Sequence, residues 1–236
     1  MSTLTDTLRS KIRNLELASQ VDAPALHYTA TPFAELNAIL PGGGLPRGAL
    51  TEILCEEGSG RGAFELALTL AGRAFLERPV WLVIEAGDCH EREPSFYPAT
   101  PVLDDSARER LIHVKAPPKR GAWAFTQALR CSEVSVALFA TRSMDNLQQR
   151  RFQLAAQRGG TIGIVLRPLA ARRRACWAAL RLKVEAAAGQ DRTLRERAYH
   201  VEVLTAKGGE PLRIADFTTE HTESTESTEG ISSGSM

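Results

Sequence analysis

Apolar positions along this chain change their rhythm twice. Between residues 2 and 19, Leu4, Leu8, Ile12 and Leu15 recur at three- and four-residue intervals among Asp, Arg and Lys, the stripe of an amphipathic helix. The stripe breaks at Asp22-Ala23-Pro24, so residues 1–24 read as an arm that either folds back on its own domain or docks on a partner. From Leu50 onward the runs Leu50 to Cys55, Val80 to Ile84, Leu111 to Val114, Val134 to Phe139 and Thr161 to Leu166 are largely apolar on consecutive residues. Strands buried on both faces read this way. Separated by helical segments, they predict a mainly parallel sheet with helices on both faces. Ala179 to Glu185 and Tyr199 to Thr205 alternate instead, with Leu180, Leu182 and Val184 in one and Val201 and Val203 in the other. They predict an antiparallel pair at one edge, joined through the polar segment from Gly189 to Arg197.

Periodicity ends at Phe217. Residues 217–236 hold four Glu, no Lys or Arg, and the repeat Thr-Glu-Ser-Thr-Glu-Ser-Thr-Glu before a Gly/Ser terminus, the composition of a disordered tail. The organisation expected is therefore an arm (1–24), one α/β core domain (25–216) and an acidic tail (217–236). A chain of 236 residues with 43% hydrophobic residues can bury one substantial core.

A net charge of +1 excludes a bulk polycation and a strongly acidic solvating chain. Removing the four tail glutamates from the 28 acids leaves 24 against 29 bases, so the body carries +5. Much of that excess lies in Arg142 to Lys183, where ten basic residues face the single acid Asp145. Apolar stretches such as Pro79 to Ile84 are far shorter than the ~20 residues of a membrane helix. Asp6 and Arg9 stand where a signal peptide would be apolar. A cytoplasmic protein without membrane contact is expected. Cys55, Cys89, Cys131 and Cys176 form no CxxC pair and read as buried free thiols. His90, His113 and His200 are dispersed without ligand spacing, so neither a metal site nor a Ser-His-Asp arrangement assembles, and no cofactor is implied.

The most informative local pattern follows Thr51 to Cys55, where Glu56-Glu57-Gly58-Ser59-Gly60-Arg61-Gly62-Ala63 leads into a helix. Strand, glycine-rich turn and helix is the arrangement that cradles phosphates on helix-terminal amides. In the working motif G-x-x-x-x-G-K-[ST], Lys reaches the outer phosphates and the hydroxyl ligates magnesium. Here Cys55 replaces the first Gly, Arg61 the Lys and Gly62 the Ser/Thr, while Gly60 remains. A guanidinium fits such a loop poorly, Gly62 offers no oxygen, and Glu56 and Glu57 repel a polyphosphate. The loop, with Cys55, Gly58, Gly60, Arg61 and Gly62, reads as a degenerate nucleotide loop retained for the strand–helix junction. The strand Val134 to Phe139 runs into Ala140-Thr141 without a carboxylate; Glu85 and Asp88 lie after the strand ending at Ile84. Phe64, Ala67, Leu68, Ala71 and Phe75 are spaced as the buried face of the helix after the turn, Trp81 reads as core, and Trp123 and Phe125 are expected to pack a helix start.

Asn37-Ala38-Ile39-Leu40-Pro41-Gly42-Gly43-Gly44-Leu45-Pro46-Arg47-Gly48, followed by Leu50-Thr51-Glu52-Ile53, resembles the segment that leads into the phosphate loop of RecA recombinases. Within that superfamily the chain is most similar to the ImuA family of bacterial mutagenic translesion-synthesis cassettes. Further matches are Arg150-Arg151-Phe152-Gln153-Leu154-Ala155-Ala156-Gln157-Arg158-Gly159-Gly160, Ile164-Val165-Leu166-Arg167-Pro168 and Trp177-Ala178-Ala179-Leu180-Arg181-Leu182. The likeness covers roughly residues 30 to 206. It implies a RecA-like core in the DNA-damage response, acting with ImuB, a polymerase-like protein lacking polymerase activity, and with an error-prone replicative-type polymerase. Against an active recombinase, the phosphate-loop Lys and Ser/Thr fall on Arg61 and Gly62, the catalytic Glu on Gly87, and the acid after the next motif strand on Ala140. The second DNA loop is shortened to about Pro168 to Ala175.

With the degenerate loop, the resemblance implies a non-catalytic RecA-like accessory protein of SOS-linked mutagenic translesion synthesis, an adaptor with ImuB and an error-prone polymerase, with a second copy of itself or RecA as further candidate partners. A DNA-stimulated ATPase with an unorthodox loop is the enzymatic alternative, and a SulA-like division inhibitor, the label some relatives carry, is a third. Leu4, Leu8, Ile12 and Leu15 are the candidate partner contacts. Arg167, Arg172, Arg173, Arg174 and Arg181 are candidates for weak contact with single-stranded DNA, with Trp177 the one aromatic near enough to stack on a base.

Overall fold

The computed structural model describes residues 26–56, 60–71, 80–86, 108–174, 176–186, 196–206 and 213–220. The arm with Leu4, Leu8, Ile12 and Leu15 lies outside the described residues, as do Gly58, Phe75, Cys89 and the residues after Glu220.

A short strand β1 (Tyr28–Thr29) and helix α1 (Ala34–Ile39) precede a 3-10 turn at Pro41–Gly43 and strand β2 (Leu45–Pro46), which pairs antiparallel with β1. The glycine-rich segment ahead of Ala49 is thus a compact turn clipped to its own upstream segment. There follow β3 (Ala49–Cys55), α2 (Gly60–Ala71), β4 (Val80–Ala86), β5 (Leu111–Ala116), α3 (Pro118–Arg130), β6 (Val134–Ala140), α4 (Asn146–Gly159) and β7 (Ile162–Pro168). A 3-10 segment at Leu169–Arg173 leads to β8 (Leu180–Ala186), β9 (Glu196–Ala206) and β10 (Arg213–Glu220).

Strands β3 to β10 form one eight-stranded sheet in the order β10-β9-β8-β3-β7-β6-β4-β5. The six strands from β8 to β5 are mutually parallel, and β9 and β10 extend the sheet antiparallel. The mainly parallel α/β sheet expected from consecutive apolar runs is what the chain forms. All seven residues of β3 and all seven of β6 are buried, as neighbours on both sides and layers on both faces require. One apolar layer joins Ile53, Ile164 and Leu182 of the sheet to α1 and α2 through Leu36, Phe64, Leu68 and Ala71. The opposite layer joins Leu50, Phe139 and Val165 to Phe125 of α3 and Phe152 of α4. There Phe125 stacks on Phe139 with centroids 5.1 Å apart and meets Phe152 edge-on at 4.8 Å, locking α3 and α4 onto β6.

Local chemistry sets the ends of these helices. Pro118, at the first helical position of α3, loses no hydrogen bond there. Asp145 caps α4, its carboxylate accepting from the Gln148 amide at 2.7 Å, and Gly160 ends it at φ +67°, in the left-handed region that glycine adopts without strain. At Gly159 a β-carbon would stand 2.1 Å from the Leu129 carbonyl oxygen, so only glycine lets α4 approach α3 this closely.

Three expectations are corrected. Strand β10 reaches Glu220, pairing Phe217 with Tyr199 and Glu220 with Glu196, so the segment taken as tail from residue 217 begins as sheet. Its alternation is weak because Thr218 and Thr219 mask it. In consequence β8 and β9 lie inside the sheet and β10 is its edge. Trp123 is 66% exposed, because in α3 it falls opposite the buried Ala122, Phe125 and Leu129, whereas Phe125 is core as expected. Of the described cysteines, Cys55 is buried, Cys176 half-buried and Cys131 exposed.

Candidate functional site

In a parallel sheet the carboxyl ends of the strands share one edge, where the helices that follow them begin; ligands of such folds bind there. At this edge β3 ends in buried Cys55, flanked by Pro168 of β7 and Val184 of β8, and α2 starts at Gly60. The Cys55 thiol points to the Arg167 carbonyl at 3.8 Å, and the Gly62 carbonyl accepts from the Tyr199 hydroxyl at 3.3 Å. Of the residues expected to form a degenerate nucleotide loop, Cys55 therefore ends the strand, Gly60, Arg61 and Gly62 begin the helix, and the Gly62 carbonyl is engaged by β9. At the end of β6, Ala140 is buried and the Thr141 hydroxyl donates to the Ser143 carbonyl at 3.0 Å. Glu85, near the end of β4, is only 2% exposed and lies 3.5 Å from His113 Nε2 of β5.

Three residues back along the same strand lies a second constellation, on the α4 face of the sheet. Glu52 of β3 is 1% exposed. Its Oε1 accepts from Arg167 Nη1 at 2.8 Å, and its Oε2 lies 2.5 Å from Arg181 Nε and 3.2 Å from the Cys176 thiol, which donates to it. Arg181 also donates to the carbonyls of Ala171 at 2.7 Å, Arg172 at 3.0 Å and Arg174 at 3.2 Å. One guanidinium thus holds the 3-10 segment of the β7–β8 crossover while neutralising a buried carboxylate. The carboxylate is paired with both guanidinium groups, which offsets the cost of burying the three ions; Arg181 is hydrogen-bonded to three carbonyls besides, whereas Arg167 keeps its Nε and Nη2 buried without a hydrogen-bond partner. Burial, and then the Glu52 charge, push the Cys176 thiol up to about 11, so it stays protonated at neutral pH. The crossover is fastened to α4 as well, Trp177 N donating to Gln149 Oε1 at 3.1 Å, and β3 is tied to the same helix where Leu50 N donates to Gln153 Oε1 at 3.0 Å.

The five arginines expected as one basic patch divide into two groups. Arg167 is 2% exposed and Arg181 7%; both are spent on Glu52 and the crossover carbonyls and are not surface contacts. Arg172, Arg173 and Arg174 are exposed, with Arg172 Nη2 3.5 Å from Glu202 of β9. The division follows from strand geometry, since Arg167 and Arg181 occupy strand positions facing α4 while the triplet lies in the connection. Sequence reasoning missed Glu52. A lone acid inside a strand buried on both faces requires a cation, and the arginines at the same depth of β7 and β8 were the signal. Glu85, noted in the sequence as a strand-end acid, is buried beside a histidine. Comparison with protein-family models and with curated proteins gave no match to this chain.

Proposed function

We propose that this chain is a RecA-like accessory protein of the ImuA type, working without nucleotide turnover as an adaptor in mutagenic translesion synthesis with an ImuB-type polymerase-like protein. The observation that carries the reading is the edge of the sheet itself. The strand–turn–helix stands at the carboxyl end of a central parallel strand, where a phosphate loop belongs, yet Cys55, Arg61 and Gly62 occupy its defining positions and buried Ala140 ends β6. The ammonium, the magnesium-binding hydroxyl and the β6 carboxylate normally share the charge of phosphoryl transfer, so their losses compound. The ImuA-like run from Arg150 to Gly160 covers the later part of α4 and its cap, and its Phe152, Gln153, Ala155, Ala156 and Gly159 are buried. A RecA-like architecture in this reading serves as a scaffold.

Calorimetry with magnesium-ATP on the purified chain is expected to give no tight binding, and no hydrolysis should follow. Micromolar binding with turnover abolished by Arg61→Ala would overturn the non-catalytic part. Pull-down of the chain after DNA damage is expected to recover a polymerase-like partner; its recovery of a tubulin-like division protein instead would overturn the adaptor part. A second reading, a DNA-stimulated ATPase, is favoured by Glu85, a buried acid at the same edge beside His113. Turnover lost in Glu85→Gln would select it.

A further inference from the structure

We propose that the outer face of α3 and α4, together with Trp177 of the crossover, binds single-stranded nucleic acid. α3 and α4 lie side by side on one face of the sheet, joined by the Phe125–Phe152 contact. Their exposed sides carry Lys119, Arg120, Arg130, Arg150, Arg151 and Arg158, and neither helix contains an acidic residue. A solvated helix face ordinarily interleaves both signs, which offset each other at i, i+4 spacing. This one leaves six positive charges uncompensated on the helices, a surface completed by a polyanion.

Aromatic and apolar groups narrow the class of polyanion. Among the described residues six large apolar side chains are exposed, and four of them, Trp123, Leu147, Leu154 and Trp177, belong to this face. Leu147, Arg150, Arg151, Leu154 and Arg158 follow at helical intervals, so arginines and leucines share one stripe of α4. Trp123 stands on the exposed side of the neighbouring α3, and Trp177 of the crossover meets the stripe directly, with the Arg150 guanidinium 5.4 Å from its ring centroid. Arginines that track phosphates beside indoles on which bases stack are the chemistry of sequence-tolerant single-strand binding. A duplex would use the charges and leave the indoles idle, because its bases are already stacked. An acidic protein would likewise match the charge without supplying planar rings. The surface goes beyond the adaptor reading and uses none of the degenerate loop or the Arg172, Arg173 and Arg174 triplet.

The test uses the full chain with three probes: labelled oligo-dT of about 20 nucleotides, a mixed-sequence duplex, and a polyglutamate peptide of similar charge. Oligo-dT is expected to bind best and to quench tryptophan fluorescence. Trp123→Ala, at an exposed position, should leave melting unchanged and weaken oligo-dT roughly five-fold or more while sparing the duplex. Joint change of Arg150, Arg151 and Arg158 to Ala should lower the slope of log K against log salt by about 2, since each single-strand phosphate contact contributes ~0.7. The same slope in the Arg172, Arg173 and Arg174 to Ala variant as in wild type would place binding on the helices. Absence of oligo-dT binding at low salt would overturn the proposal. So would an arginine variant on α4 that binds like wild type, or polyglutamate binding as tightly with Trp123→Ala neutral, which would mark an acidic protein as the partner.

Discussion

Replacing Glu52 by Gln removes the one negative charge between Arg167 and Arg181 and leaves two guanidinium groups buried without a counter-ion. Breaking a buried pair in this way costs about 3–5 kcal/mol, so Glu52→Gln should show a correspondingly lower free energy of unfolding in urea. The same substitution acts on Cys176. With the Glu52 charge gone, the thiol should titrate below its wild-type value of about 11, and alkylation should proceed faster at pH 9 in the variant than in wild type. The sign for stability follows from the raised value. In the unfolded chain the thiol ionises near its ordinary 9.0, whereas the folded form keeps its proton to about 11, so the fold loses stability as pH rises through that window. Cys176→Ser should flatten this alkaline loss, measured as melting temperature against pH.

Among the elements, β10 and the α3–α4 contact carry the clearest consequences. Ending the chain after Glu220 removes only Glu-, Ser- and Thr-rich sequence and should leave the melting temperature within about 1 °C of wild type. Ending it after Asp216 deletes four of the eight register pairs that hold β10 to β9, from Phe217 to Glu220. That form should melt several degrees lower, at roughly 2–4 °C per kcal/mol for a chain of this size. Equal melting of the two truncations would mean that the second half of β10 contributes nothing. Gly159→Ala drives a methyl group against the Leu129 carbonyl, and the separation of α4 from α3 should cost about 1–3 kcal/mol, read from chemical denaturation.

For the molecule as a whole, charge is arranged unevenly around a near-neutral total. Deleting residues 221–236 removes Glu223, Glu226 and Glu229 and no Lys or Arg, taking the balance from 29 bases against 28 acids to 29 against 25. If the helix face binds single strands, this truncation should tighten binding at low salt, and the difference should vanish as ionic strength screens the removed charges. Titrations at two salt concentrations check it. Among the described residues no helix is long and apolar enough to cross a membrane.

Seven of the eight strands of the main sheet were legible, five as largely apolar runs bounded by polar turns and two, β8 and β9, as alternating apolar and polar positions, because burial on one face or both writes itself into the pattern. The helix after the glycine turn was legible for a similar reason, with Phe64, Ala67, Leu68 and Ala71 buried at the spacing that three to four residues per turn demands. By itself the sequence determined the alternation of strand and helix and the parallel character of the sheet. Only the tertiary structure decided which arginines are buried on a carboxylate and which are exposed. Arg167 and Arg181 look like Arg172, Arg173 and Arg174 in one dimension, but pairing over separations of more than a hundred residues brings Glu52 between the first two. It likewise decided that Trp123 faces out and that β10 continues past Phe217. A side chain's direction and a strand's partner depend on register against distant segments, and register is a property of the assembled sheet that no local stretch of sequence contains.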